Sequence, residues 1–194
     1  MALPFTDKQR STIRERLLKS AMKYALHTGV KKTSLDMLAA DAGIAKSSFY
    51  KFFDSKELLF LEAASRWENE INHRVQQALE ENGCLSDKER AAAMVFTVFK
   101  AIHDLGIARF LREDAPLLGQ LLKEKRVKAH MLSSAHMLFD ALKEANIRFN
   151  APDETVTSVI QLLYLSILNF ADLGENYFTA LYEIVAGVCD RLVA

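Results

Sequence analysis

Between Lys46 and Lys56 the chain reads Lys-Ser-Ser-Phe-Tyr-Lys-Phe-Phe-Asp-Ser-Lys. Hydrogen-bond donors alternate there with rings, and Phe49, Phe52 and Phe53 fall at i, i+3 and i+4, the spacing of one buried helix face. A short helix of this kind can pack its phenylalanines on protein and turn its polar side to a duplex groove. Lys46, Ser47 and Ser48 occupy the first turn, the part of such a helix that reaches base edges. Lysine can donate to guanine O6 and N7, and serine is permissive. Tyr50 and Lys51 project away from the Phe49/Phe53 side, towards sugar and phosphate. Thr33 and Lys56 begin the flanking helices, where free N–H groups favour phosphate contact.

Other chemistries have no comparable support. The sequence contains no HExxH, GxSxG or P-loop pattern and no metal-spaced Cys/His cluster, so neither catalysis nor a cofactor is expected. His130 and His136 are six residues apart, on different faces of a helix. Cys84 and Cys189 lie far apart without CxxC spacing and read as reduced thiols of a cytoplasmic protein. No basic start leads into an apolar leader. The most apolar stretch, 156–173, is interrupted by Gln161, Asn169 and Asp172, which argues for a core or interface helix over a membrane span.

The elements that must hold these residues are helical. Glycine and proline are scarce and fall at the ends of periodic segments, and no useful length alternates as a strand does. Thr12 with Glu15 predicts a capping box that opens a first helix, stopped at Gly29. Thr33 predicts the cap of a second helix, with Leu35, Leu38, Ala39 and Ala42 inside and Gly43 as the turn. The third runs from about Ala45 or Lys46 to Phe53. Asp54 or Ser55 caps a long fourth helix with Phe60, Ala64, Trp67, Ile71, Val75 and Ala78 on one stripe, ended by Asn82-Gly83. Ser86 with Glu89 forms a second capping box and opens a fifth helix towards Gly106. Residues 107–123 read as one or two short helical pieces broken at Pro116, with Gly119 a second candidate break. Longer helices follow at about 124–145, about 155–173 and 175–193.

The formal net charge is zero and conceals an asymmetry. Residues 1–56 carry eleven Lys and Arg against five Asp and Glu, whereas 57–194 carry fourteen against twenty. A basic head on an acidic body suits anion binding confined to the head, although charges scattered without purpose could give the same split.

Residues from about Ser11 to Leu61 resemble the N-terminal domain of the TetR family of bacterial transcriptional regulators. The resemblance rests on Thr33, Leu38-Ala39, Ala42-Gly43-Ile44, Ser48-Phe49-Tyr50, Phe53 and Ser55-Lys56-Glu57-Leu58. It implies an all-α, nine-helix architecture. On this resemblance a three-helix helix-turn-helix head, residues 1–56, is expected to bind double-stranded operator DNA, and residues 57–194 to bind a ligand and dimerise. It further implies a homodimer, usually a repressor relieved by a small molecule. Two positions depart from the family's pattern. Ala45 stands where a serine often caps the recognition helix, and Phe52 stands where a Tyr or His often touches DNA.

The body names no ligand. Trp67, Met94, Phe96, Phe99, Phe110, Met131, Phe139 and Tyr164 could wall a pocket for a largely hydrophobic effector or be plain core, and His103 is a candidate polar anchor. The last two long helices carry apolar residues nearly all round: Leu162, Leu163, Leu165, Ile167, Leu168 and Phe170 on one, Tyr177, Phe178, Leu181, Ile184, Val185 and Val188 on the other. Burial on two sides predicts a four-helix homodimer interface. Control by a protein partner, or constitutive DNA binding without a small ligand, is the alternative.

Overall fold

A computed structural model describes residues 5–81, 84–121 and 134–194. Among them are ten α-helices and one π-helical turn. The only bridge of β type found there joins Phe149 to Val193. The chain divides into two compact units, Met1–Glu68 with Arg109–Glu124, and Asn69–Ala108 with Lys125–Ala194.

In the first unit, α1 is Asp7–His27. It starts five residues before the expected Thr12 box. Thr6 is the N-cap, its hydroxyl accepting from the Gln9 backbone at 3.3 Å while the Gln9 side chain accepts from the Thr6 N–H at 2.9 Å. Thr12 lies inside the helix and donates back to the Lys8 carbonyl. Both Thr6-x-x-Gln9 and Thr12-x-x-Glu15 fit the box pattern, and the outer one forms because nothing between them stops a helix. Gly29, at φ +85°, ends α1. A Cβ there would also lie 3.1 Å from the Arg109 guanidinium.

Helix α2 is Leu35–Ala42. Its cap is Ser34, not Thr33: the Ser34 hydroxyl accepts from the Met37 N–H, and Thr33 is turned inward. Leu38, Ala39 and Ala42 are buried as expected, whereas Leu35 is half-buried. Gly43 adopts the left-handed conformation, φ +72°, that makes the sharp turn. Helix α3 is only Lys46–Phe49. Beyond Phe49 the backbone tightens, with Lys51 bonded to Ser48 and Phe52 to Phe49, so the expected helix to Phe53 ends in a tight turn. Helix α4, Lys56–Glu81, begins after Ser55, whose hydroxyl accepts from the Leu58 N–H. The expected stop at Asn82-Gly83 lies outside the described residues. Ile13, Leu17, Leu18, Leu38, Phe49, Phe53, Leu59 and Phe60 form this unit's core.

The same unit holds the π turn Phe110–Asp114 and α6, Ala115–Leu121. No break occurs at Pro116. The proline sits in the first turn of α6, where its missing N–H costs little, and the wider π turn before it gives its ring room.

In the second unit, α5 is Asp87–Asp104, opened by the expected Ser86/Glu89 box. Hydrogen bonds from Ser86 hold the Glu89 carboxyl below its ordinary pKa. Helix α7 is described over Ser134–Glu144; residues 124–133 of the expected 124–145 segment, with His130 and Met131, lie outside the described residues. The expected helix to about 173 is two helices, α8 (Asp153–Leu168) and α9 (Phe170–Leu173), divided at Asn169, where φ −119° and ψ 19° interrupt the helix. Among the described residues that division gives ten helices, where nine are expected for the chain. Helix α10 is Tyr177–Leu192. Met94, Val95, Phe99, Leu142, Ile160, Ile167, Leu181 and Val185 fill this core.

Candidate nucleic-acid interface

The recognition segment stands on one anchor. Phe49 is 0% exposed, and the next residue, Tyr50, is 57% exposed. Burying a phenylalanine contributes about 1.5–3 kcal/mol, enough to fix one face of a four-residue helix while the opposite face stays in solvent. Ser47 and Lys51 are exposed and Ser48 is half-buried. Of the three phenylalanines expected inside, Phe49 and Phe53 are buried. Phe52 is half-covered, with its ring 5.6 Å from that of Phe5.

Lys46 is not idle. Its ammonium donates to Asp36 Oδ2 at 2.8 Å, and that bond raises the lysine pKa. Asp36 is in the first turn of α2, so the pair spans the helix-turn-helix. Both side chains are more than half exposed, so the pair is weak and can exchange for a phosphate or a base edge. Helix α3 has no side-chain cap at Ala45, which already has the extended cap geometry, φ −68° and ψ 146°.

The other two expected contacts have internal duties. Thr33 is 1% exposed, and its hydroxyl donates to the Gly29 carbonyl at 2.7 Å. Lys56 donates to the carbonyls of Val30 and Thr33, each at 2.9 Å. An ammonium has three donors, and these two bonds tie the 30–33 loop to the start of α4. Position along the chain could not show this, because both residues open helices on paper.

Three residues unmarked by the sequence support the same loop and segment. Arg10 donates to the Lys51 carbonyl and Arg14 to that of Phe52. Asp114, 5% exposed, accepts from the Val30 N–H. Each partner is a backbone atom far away in the chain, and no local pattern marks such a pairing.

The expected ligand-wall residues are divided between the two units. Trp67 and Phe110 belong to the first unit, with ring centroids 5.1 Å apart and exposures of 4% and 3%. Phe99 is buried core of the second unit, as are Met94 and Phe139, whose ring stacks on Phe149. Tyr164 is half-buried. Phe96 meets Phe178 and Tyr182 edge-on and lines an open groove of about 670 Å³ with Leu85, Ala93 and Ala186. His103 packs against Phe170 and Phe178 and lies 3.3 Å from Asp104. An apolar cavity of about 30 Å³ lies among Val95, Leu142, Val156 and Cys189, and burial pushes the Cys189 thiol up to about 11. Among the described residues no cluster could hold a metal ion, and no helix is long and apolar enough to cross a membrane.

This geometry, a glycine-hinged helix pair presenting a polar segment on a buried phenylalanine, is that of a helix-turn-helix DNA-binding protein. Residues 17–63 match the family model described as bacterial regulatory proteins, tetR family. The HTH-type transcriptional regulator YhgD of Bacillus subtilis (strain 168) is 25% identical over 180 residues, spanning 91% of this chain and 92% of the relative. A Shewanella sp. PV-4 structure assigned to tetR family transcription regulators superposes with a TM-score of 0.65 at 18% identity, over 94% of this chain and 98% of that one. The transcriptional regulator FadR from Bacillus subtilis, solved in complex with stearoyl-CoA, superposes with a TM-score of 0.63 at 13% identity, over 90% and 96%. Residues 17–63 thus carry a helix-turn-helix segment of the tetR-family type, and the chain is similar over most of its length to DNA-binding transcriptional regulators.

Proposed function

We propose that the chain is a cytoplasmic, homodimeric repressor of a near-palindromic operator, released by a small, largely hydrophobic ligand. Residues 1–56 read DNA, and 57–194 bind the ligand and dimerise. Lys46, Ser47 and Ser48 face base edges and Tyr50 and Lys51 grip the backbone, while Thr33 and Lys56, expected at phosphates, act behind them by holding the 30–33 loop. The observation that carries this reading is the exposed polar run 46–51 mounted on the fully buried Phe49.

Dimerisation is supported by α8 and α10. Leu163, Ile167, Leu181 and Val185 are buried, yet on the same helices Leu162 is 68%, Leu165 50% and Ile184 53% exposed. Large apolar side chains grouped on solvent faces mark an association surface. A two-fold dimer puts two recognition helices about 34–36 Å apart, one turn of DNA.

A hydrophobic effector is supported by the aromatic content of the second unit and by FadR, which was solved with stearoyl-CoA. A ligand favouring one tilt of α4 weakens DNA binding by no more than its differential affinity for the two forms. The alternative is control by a protein partner or constitutive binding, without a small ligand.

Selection from a randomised duplex library tests the operator. The expected product is a two-fold site with half-sites about 10–10.5 base pairs apart; an asymmetric single half-site overturns the dimeric reading. A thermal-shift series with long-chain acyl-CoA tests the effector, because a ligand at a hundred times its Kd stabilises the folded form by about 2.7 kcal/mol. An acyl-CoA that neither stabilises the protein nor releases the selected duplex favours the alternative.

A further inference from the structure

We propose that Arg14 is the positioning residue that sets the pitch of the recognition segment, and that Glu62 of α4 holds Arg14 in place for this task. The proposal rests on the DNA-reading role given above to α3.

Helix α3 is four residues long and has no side-chain cap at its N-terminal end. Phe49 anchors it at one point, and a single anchored rod can still pivot. What stops the pivot lies at the other end. Arg14 donates to the Phe52 carbonyl at 3.0 Å, and its guanidinium lies 4.4 Å from the centre of the Phe53 ring. A cation at the end of a helical turn, bonded to a carbonyl with no partner inside the helix, is favourable on both electrostatic and hydrogen-bonding grounds.

The second half of the fork is bound to Glu62 by a short ion-paired hydrogen bond. One planar guanidinium therefore joins α1, the end of the recognition turn and α4. Lysine, with a single nitrogen, could not span these partners in the same way. Nearby, Arg66 and Glu15 form a second link between α4 and α1, with nitrogen–oxygen distances of 2.8 and 2.6 Å, and this link keeps Glu62 in register with Arg14. Arg10 adds a weaker tie to the Lys51 carbonyl at 3.2 Å.

The pairing also separates Arg14 from the phosphate-gripping lysines. Its charge is already matched by Glu62, so it acts on DNA through the Phe52 carbonyl and the Phe53 ring. Electrostatics and positioning then predict opposite signs for one substitution. Glu62→Gln removes a negative charge from a DNA-binding head, and charge alone would tighten binding to every duplex. If Glu62 orients Arg14, the same change weakens binding to the preferred sequence.

The experiment measures Kd for the full chain on two duplexes: one enriched by the wild-type protein from a randomised library, and a scrambled sequence of equal length. Arg14→Gln and Glu62→Gln are each expected to reduce the ratio of the two affinities about tenfold, the cost of roughly one hydrogen bond, with an unchanged salt slope on the scrambled duplex. The inference is overturned if Glu62→Gln tightens both duplexes equally. It is also overturned if Arg14→Gln lowers the slope by about 0.9 at constant ratio, which marks a direct phosphate contact. Should Arg14→Gln fail to fold, Glu62→Gln at its half-exposed site decides alone. A wild-type chain that enriches no sequence removes the DNA-reading role itself; discrimination kept intact in both variants removes only the role of Arg14.

Discussion

Asp114 and Val30, 84 positions apart in the chain, are joined by a 3.1 Å hydrogen bond from the Val30 N–H to the Asp114 carboxylate. The second carboxylate oxygen has no hydrogen-bond partner among the described residues, and its nearest cation is Arg109 at 3.7 Å. Arg109 in turn donates to the Ala25 carbonyl at 2.5 Å. The loop between α1 and α2, which aims the helix-turn-helix, is therefore held by a buried acid and an arginine from the 109–121 segment, and by Lys56 at the start of α4.

Burial raises the Asp114 pKa, and the Val30 and Arg109 contacts only partly oppose it. The folded protein then keeps this proton to a higher pH than the unfolded chain does. Stability contributed here falls as pH rises from the ordinary carboxylate value of 3.8 through the folded value. The melting temperature of the wild type minus that of Asp114→Asn should decrease as the pH is raised above about 4. A flat or rising difference contradicts the assignment. Asp114→Ala, which strands the Val30 N–H, should cost about 1–3 kcal/mol in urea unfolding.

Ala45 already has the backbone geometry of a helix cap and lacks only the side-chain acceptor. Ala45→Ser should stabilise the protein by about 1 kcal/mol, read as a higher urea midpoint at unchanged m-value. A lower midpoint means that α3 is held differently.

Leu162 and Ile184 are large, apolar and more than half exposed. Stable interfaces bury about 800 Å² per partner, and a charge inside one is expensive. Leu162→Glu with Ile184→Glu should convert a dimer into monomers in sedimentation velocity, with unchanged helical content. A double variant that remains dimeric places the interface elsewhere.

Much of the head was legible because its signals are local. Gly43 marks the turn by its backbone freedom and Phe49 declares its face by helical spacing; in the body, Ser86 with Glu89 likewise forms its box within four residues. The sequence is ambiguous where two local signals are equal, as with Thr6/Gln9 against Thr12/Glu15, or where a neighbour absorbs a breaker, as the π turn does before Pro116. The supports of the reading segment were illegible for a different reason. Arg14, Lys56 and Asp114 act on backbone atoms of distant residues, and a backbone partner leaves no side-chain signature. Thr33 likewise opens a helix in the sequence, yet folds inward onto Gly29.

The salt dependence of duplex binding tests the DNA-reading face of α3 most directly. For the wild-type chain, log K should fall linearly with log salt, and Lys51→Ala should lower the slope by about 0.9 while weakening every duplex alike. A slope unmoved by Lys51→Ala, or a wild-type chain that binds no duplex at low ionic strength, contradicts the assignment of residues 46–51 as the surface that meets DNA.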